Sequence, residues 1–152
     1  MPVIKIPETI VVPKQVMRDV LDRLAAEAPE DGDAGVLNGC KMHLFKSDLE
    51  LSADTDKATL DAAKANFTDY AVSDEVVWGG ALTDDDGHHS LTGSGKQFTA
   101  GDGATSNLIY GGYLVDSADA ELICSFKFDA PVEVNEAGDG LIVIPIFPLS
   151  AS

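Results

Sequence analysis

Glu121-Leu122-Ile123-Cys124-Ser125-Phe126-Lys127-Phe128 decides the fold class. Leu122, Cys124, Phe126 and Phe128 alternate with Ile123, Ser125 and Lys127. Successive side chains of a strand point to opposite faces, so this period of two predicts a half-buried β-strand. Upstream, Asn107 to Val115 reads as a long strand with Gly111-Gly112 at its centre. Glycine weakens a strand, so the pair predicts a bulge, a sharp bend or close approach of another backbone. Asp116 to Ala120 is a polar connection between the two strands. Downstream, Val132 to Val134 leads into the turn Asn135 to Gly140, and a final apolar strand runs from Leu141 to about Phe147. Lys96 to Ala100 forms a further strand that ends at the turn Gly101-Asp102-Gly103. No helical pattern separates these later strands. The expected fold is therefore mainly β, with antiparallel sheets closed into a β-barrel or a β-sandwich.

The N-terminal part reads differently. Val3 to Ile6 is β-branched between prolines and suits an edge strand or extended arm, where Pro7 and Pro13 are tolerated. Between residues 14 and 28, Val16, Met17, Val20, Leu21 and Leu24 recur at helical spacing, and Pro29 ends the run. Residues 30–35 form an acidic, glycine-rich loop. These features divide the chain into an N-terminal arm with an amphipathic helix (1–35) and a β-rich body (36–152). Val16, Val20, Leu21 and Leu24 are the candidate protein-interface residues. In the body, Lys41 to Lys46 reads as a strand. A second short helix is expected from Asp56 to about Phe67, capped by Asp54 or Thr55, with Leu60, Ala63 and Phe67 on one stripe. Glu75 to Gly80 reads as a strand carrying the only tryptophan, Trp78. The expected core comprises Trp78, Leu122, Cys124, Phe126, Phe128, Ile142 and Ile144.

The chain has 152 residues, enough for one domain with a real core, and 26 Asp plus Glu against 10 Lys plus Arg give a net charge of -16. Phosphate binding rests on clustered cations, so this balance disfavours nucleic acid and anionic membranes as partners. It suits a soluble protein or a basic partner surface. The N-terminus lacks the apolar core of a secretion signal, and no apolar run is long enough to span a bilayer. Cys40 and Cys124 form no CxxC pair and read as two reduced core thiols, with a disulfide between them left open.

One local cluster carries metal-ligand chemistry: Asp84-Asp85-Asp86-Gly87-His88-His89. Carboxylate and imidazole suit borderline divalent metals, which makes Asp84, Asp86, His88 and His89 weak candidate ligands. Adjacent ligands in so short a loop rarely complete a site, and the spacing matches neither an EF-hand nor a zincin helix. An exposed turn with no metal is the expected state. Gly93-Ser94-Gly95 is not a GxSxG elbow, and Gly101-Asp102-Gly103 is too short for a phosphate loop. His43 reads as a strand residue rather than a base. No catalytic residues and no cofactor are expected.

Several stretches share a cadence: Lys41-Met42-His43-Leu44-Phe45-Lys46, then Phe67-Thr68-Asp69-Tyr70, Trp78-Gly79, Phe98-Thr99-Ala100 and Asn107 to Leu114. With the glycine-marked hairpin into the apolar C-terminal run, this cadence resembles small virion structural proteins of tailed bacteriophages, over roughly residues 40 to 149. The resemblance implies a non-enzymatic virion protein without a cofactor, a homo-oligomer that binds the major capsid protein or another virion protein. Capsid decoration or cement is the first expectation. Tail or fibre attachment, or a non-viral β-sandwich binding module, is the alternative.

Overall fold

The computed structural model describes residues 2–5, 10–11, 39–78, 82–83, 89–102 and 107–148. Among them the chain is mostly β. Its strands are β1 (Val3–Lys5), β2 (Ile10–Val11), β3 (Lys41–Phe45), β4 (Leu82–Thr83), β5 (His89–Thr92), β6 (Lys96–Thr99), β7 (Asn107–Val115), β8 (Leu122–Val134), β9 (Gly140–Ile144) and β10 (Ile146–Pro148). A single short helix among the described residues, α1, spans Lys57–Ala62. The strands build a four-stranded sheet of order β2-β8-β7-β3 and two three-stranded sheets, β1-β9-β6 and β10-β5-β4.

The decisive alternating stretch opens β8, which pairs antiparallel with β7. Its alternation is broken once. Leu114 faces Cys124 but Val115 faces Leu122, so Ile123 is an extra residue in β8. Such a bulge reverses the phase of what lies beyond it. Leu122 therefore leaves the side of Cys124, Phe126 and Phe128 and packs beside Phe45, Leu60 and Tyr113, while Ile123 joins the larger core. The strand is also not half-buried here: Ile123, Cys124, Ser125 and Phe126 are all buried. Both faces of the sheet are covered at this level, which single-strand periodicity does not reveal.

The central glycines of β7 mark close approach and a change of register. A Cβ on Gly111 would lie 2.2 Å from the Phe126 carbonyl oxygen and 2.6 Å from Phe45 Cζ. One on Gly112 would lie 2.8 Å from Phe126 Cζ. The register of β7 against β8 shifts between Ile109 and Gly111.

One face of the four-stranded sheet meets β6 and β9. Met42, Leu44, Leu114, Cys124, Phe126 and Phe128 pack there with Phe98, Leu141 and Val143 in one cluster. Fully burying such a side chain contributes about 1.5–3 kcal/mol, so this shared core dominates the attachment of the two sheets. The other face is covered by α1, through Leu60 and Ala63 against Phe45, Tyr113 and Val115.

The C-terminal run is two strands rather than one. Pro145 cannot donate to a ladder, and the chain changes sheets around it: β9 lies between β1 and β6, and β10 pairs with β5. The phase of β9 is opposite to expectation. Leu141 and Val143 are fully buried, whereas Ile142 and Ile144 are half-buried and flank Gly95. The sheets are also not purely antiparallel, because β1 runs parallel to β9, with Val3 opposite Ile142 and Lys5 opposite Ile144. β2 pairs with β8. The described N-terminal segments are thus strands of the body's own sheets. The helix expected over 14–28 lies outside the described residues.

Two further expectations need correction. The helix is shorter and starts later, with Asp56 as its N-cap, accepting from Thr59 N at 2.9 Å and Thr59 Oγ1 at 2.7 Å. It stops because the chain beyond it is taken up by β3: Lys46 N–H donates to Ala63 O at 2.8 Å and Ala65 N–H to Leu44 O at 2.9 Å. Glu75 to Trp78 is extended but is not a ladder strand; Trp78 makes one isolated bridge to Gly93 and is half-buried against the core.

Candidate functional site

An edge strand carries a row of backbone groups that need partners, and β3 is an edge. The chain that follows α1 supplies them. Val76 N–H donates to Cys40 O at 2.8 Å and Ser73 N–H to Met42 O at 3.0 Å. In return Met42 N–H donates to Ser73 Oγ at 2.8 Å and Leu44 N–H to Tyr70 Oη at 2.9 Å. A serine and a tyrosine hydroxyl here do the work of a neighbouring strand.

Tyr70 leads to a polar cluster on the helix-covered face. Its hydroxyl lies 2.9 Å from His43 Nδ1, and His43 Nε2 lies 2.9 Å from Asp119 Oδ2. Because Tyr70 Oη accepts from Leu44, the consistent arrangement has Tyr70 donating to Nδ1 and the Nε2–H donating to Asp119. The His43 ring stacks on Tyr113 at 5.1 Å. Tyr113 donates to Asp61 Oδ1 at 2.6 Å, and Lys57 Nζ sits 2.7 Å from Asp61 Oδ2 and 3.3 Å from Asp119 Oδ1. That last contact is an ion pair without a hydrogen bond; Asp119 Oδ1 has no hydrogen-bond partner among the described residues. Asp119 is held in the left-handed region, φ 54°, inside a turn whose Asp116 Oδ1 accepts from Ala120 N at 2.7 Å. The turn aims the carboxylate at the imidazole.

Burial lowers the pKa of His43 below its ordinary value, outweighing the opposing pull of Asp119. Burial alone would raise Asp119 and Asp61. The contacts from His43 and Lys57 hold Asp119 below the usual carboxylate range, and those from Lys57 and Tyr113 do the same for Asp61. Burial raises both tyrosine hydroxyls. The hydroxyl–imidazole–carboxylate order of Tyr70, His43 and Asp119 is that of an activated nucleophile. Its members are already engaged within the protein. The hydroxyl already holds Leu44 N–H, its proton is harder to remove than usual, and His43 is only 3% exposed.

An accessible concavity lies on the other side of Tyr70. A groove of about 300 Å³ runs between residues 69–74 and β6. Phe67, Tyr70 and Phe98 line it, with Tyr70 stacked on Phe98 at 6.1 Å and edge-on to Phe67 at 5.2 Å. Its ends are pinned by backbone bonds: Ser94 N–H to Val77 O at 2.8 Å, and Gly101 N–H to Thr68 O at 2.9 Å. Asp69, with φ 66°, packs so closely on Gly101 that a Cβ there would lie 1.9 Å from Asp69 Oδ2. Lys96 reaches from β6 to Asp74 at 2.7 Å, and this contact holds the Asp74 carboxyl below the usual range.

The sequence-derived candidates fall elsewhere. Val16, Val20, Leu21 and Leu24 lie outside the described residues, as do Asp84, Asp86 and His88. His89 falls in β5, opposite Thr83. No group of three or more His, Cys, Asp or Glu able to hold a metal occurs among the described residues. No described helix is long and apolar enough to cross a membrane. Cys40 and Cys124 are free, buried thiols of one core, and burial pushes Cys40 up to about 11 and raises Cys124 as well. The His43 cluster was missed because its members come from five separate segments. The available signal was His43 itself, a polar residue in phase opposite to Met42 and Leu44.

Compared with protein-family models, curated proteins and solved structures, the chain matches none.

Proposed function

We propose that this chain is a structural virion protein of a tailed phage, one that binds the capsid shell and stabilises or decorates it without catalysis or cofactor. One observation carries the non-catalytic part. The constellation of catalytic type found among the described residues, Tyr70–His43–Asp119, has its imidazole buried and its hydroxyl already engaged in closing the edge of β3. A virion component needs a durable body and an attachment surface. The doubly covered four-stranded sheet fits the first need and the groove beside β6 the second. The sequence cadence quoted above supplies the phage context, and the charge of -16 favours a basic protein partner over nucleic acid or membrane. In this reading the β1-β9-β6 sheet and the four-stranded sheet form the two layers of a sandwich, and copies of the chain assemble as a homo-oligomer on the shell.

The test is the purified particle. Electron microscopy with mass spectrometry should find the chain on the capsid in many copies. Particles lacking it should lose their genome at lower temperature. Its presence only at the tail would select the attachment reading. Its absence from particles would leave the non-viral binding module.

A further inference from the structure

The groove beside β6 has an unpaired strand edge as one wall. Ala100 N–H donates to Asp139 O at 2.8 Å, which points the backbone of Lys96, Phe98 and Ala100 toward β9. Backbone groups alternate along a strand, so Gln97 and Thr99 turn their N–H and C=O groups away from β9, toward residues 69–74. No hydrogen bond of these groups to a described residue occurs. β3 and β6 thus differ. The edge of β3 is closed by residues 63–76, whereas the edge of β6 is open between its two pinned ends. The opening is also the seam between the two layers, because residues 70–76 belong to the edge of β3.

We propose that this groove receives a short extended segment of a basic partner polypeptide, paired with the outward backbone of Gln97 and Thr99 and anchored by an arginine side chain. Strand addition at an exposed edge takes its affinity from main-chain bonds and its selectivity from side-chain pockets. The volume of about 300 Å³ is at the lower limit of ligand pockets and suits one large side chain with a little backbone. The lining fixes the chemistry of that side chain. Lys96 is already engaged by Asp74, and Asp69 makes no ion pair or hydrogen bond with a described residue. Asp69 therefore offers an uncompensated carboxylate beside the partly exposed ring of Tyr70. A guanidinium matches both, through a charge-assisted pair and contact with the exposed part of the aromatic ring. An acidic segment would meet Asp69 and the field of a chain carrying -16. The identity of the partner as a shell protein rests on the function proposed above; the groove's preference does not.

The experiment titrates the full, isotopically labelled chain with the capped pentapeptide TVRVT and its acidic counterpart TVEVT, followed by NMR. TVRVT should shift the amide resonances of Gln97 and Thr99 and slow their hydrogen exchange. TVEVT should bind at least about tenfold more weakly, the scale of one charge-assisted contact. Asp69→Asn keeps a residue type that tolerates the left-handed region and should weaken TVRVT roughly tenfold. The peptide comparison uses the unmodified chain, so the outcome stands even if the variant folds poorly. Equal binding of both peptides, shifts confined to other strands, or no saturation at millimolar TVRVT would overturn the proposal. So would self-association through Gln97 and Thr99 that TVRVT fails to displace, which would assign the edge to a second copy. Peptide binding by a chain absent from particles would leave the groove standing and remove the phage reading. A particle-bound chain indifferent to TVRVT would do the reverse.

Discussion

The two faces of the four-stranded sheet are held down by different forces. On one, Phe126, Phe128 and Leu114 meet Leu141 and Val143 in an apolar core. On the other, α1 packs over Phe45 and Tyr113, but the rim of that contact is the polar chain of His43, Asp119, Lys57 and Asp61. Apolar burial is non-directional and tolerates small shifts. A polar chain is directional, and losing a partner of its buried member, His43, leaves an expensive orphan, whereas its outer members reach solvent. The first face therefore sets how stable the sheet is. The second sets which loops can lie against it.

Removing Phe126 is the strongest way to break the apolar face. Phe126→Ala should cost about 3–5 kcal/mol, read as a fall in the urea midpoint. A loss below about 1 kcal/mol would mean that the ring does not join the two sheets, contrary to the packing described. Next in size is Tyr70→Phe, which leaves the ring in place but strips Leu44 N–H and His43 Nδ1 of their partner. Orphaning a buried group costs about 1–3 kcal/mol, and exchange of the Leu44 amide should quicken with it. An unchanged exchange rate would show that the strand edge is satisfied by other means.

The third effect is set by pH. His43 has a folded pKa below its ordinary 6.5, so the unfolded chain binds its proton first as pH falls. Stability should be full above pH 6.5 and decline as pH drops below it, through the folded value. His43→Gln should flatten that decline. The carboxyls of Asp61 and Asp119 add a further loss below their ordinary 3.8. A His43 ring that titrates above 6.5 by NMR would reverse the sign and make Asp119, not burial, the dominant influence. The smallest effect belongs to Lys57→Met at the solvent side of the same chain. Exposed pairs of this kind contribute about 0–1 kcal/mol, and a larger loss in thermal melts would show that Lys57 is needed to hold the Asp119 turn.

Much of the apolar face was legible in sequence, because alternation records which residues share a side. Cys124, Phe126 and Phe128 lie together as the period of two predicts, and Gly111-Gly112 mark a close approach. The phase errors have local causes. The bulge at Ile123 sent Leu122 to the other face, and in β9 the alternation alone could not say whether Leu141 or Ile142 pointed inward. The polar face was not legible. His43 and Asp119 are 76 residues apart, and no local pattern connects them. The groove was hidden for the same reason, since its walls come from residues 69–74 and β6 and acquire meaning only through their hydrogen-bond directions.

The parallel pairing of β1 with β9 has a consequence for synthesis. Val3–Lys5 leaves the ribosome long before Gly140–Ile144 exists. Until then neither β1 nor β6 has its partner, since β9 lies between them. The inner surface of β3, β7 and β8 must wait uncovered, with Phe126 and Phe128 open to water and to chaperones. Nucleation can begin in the β7–β8 hairpin, whose contacts are local, but closure belongs to the last strands and is slow by its topology. A chain interrupted before Gly140 would retain that hairpin and lack its cover, and proteolytic surveillance would find the unfinished molecule by its apolar face.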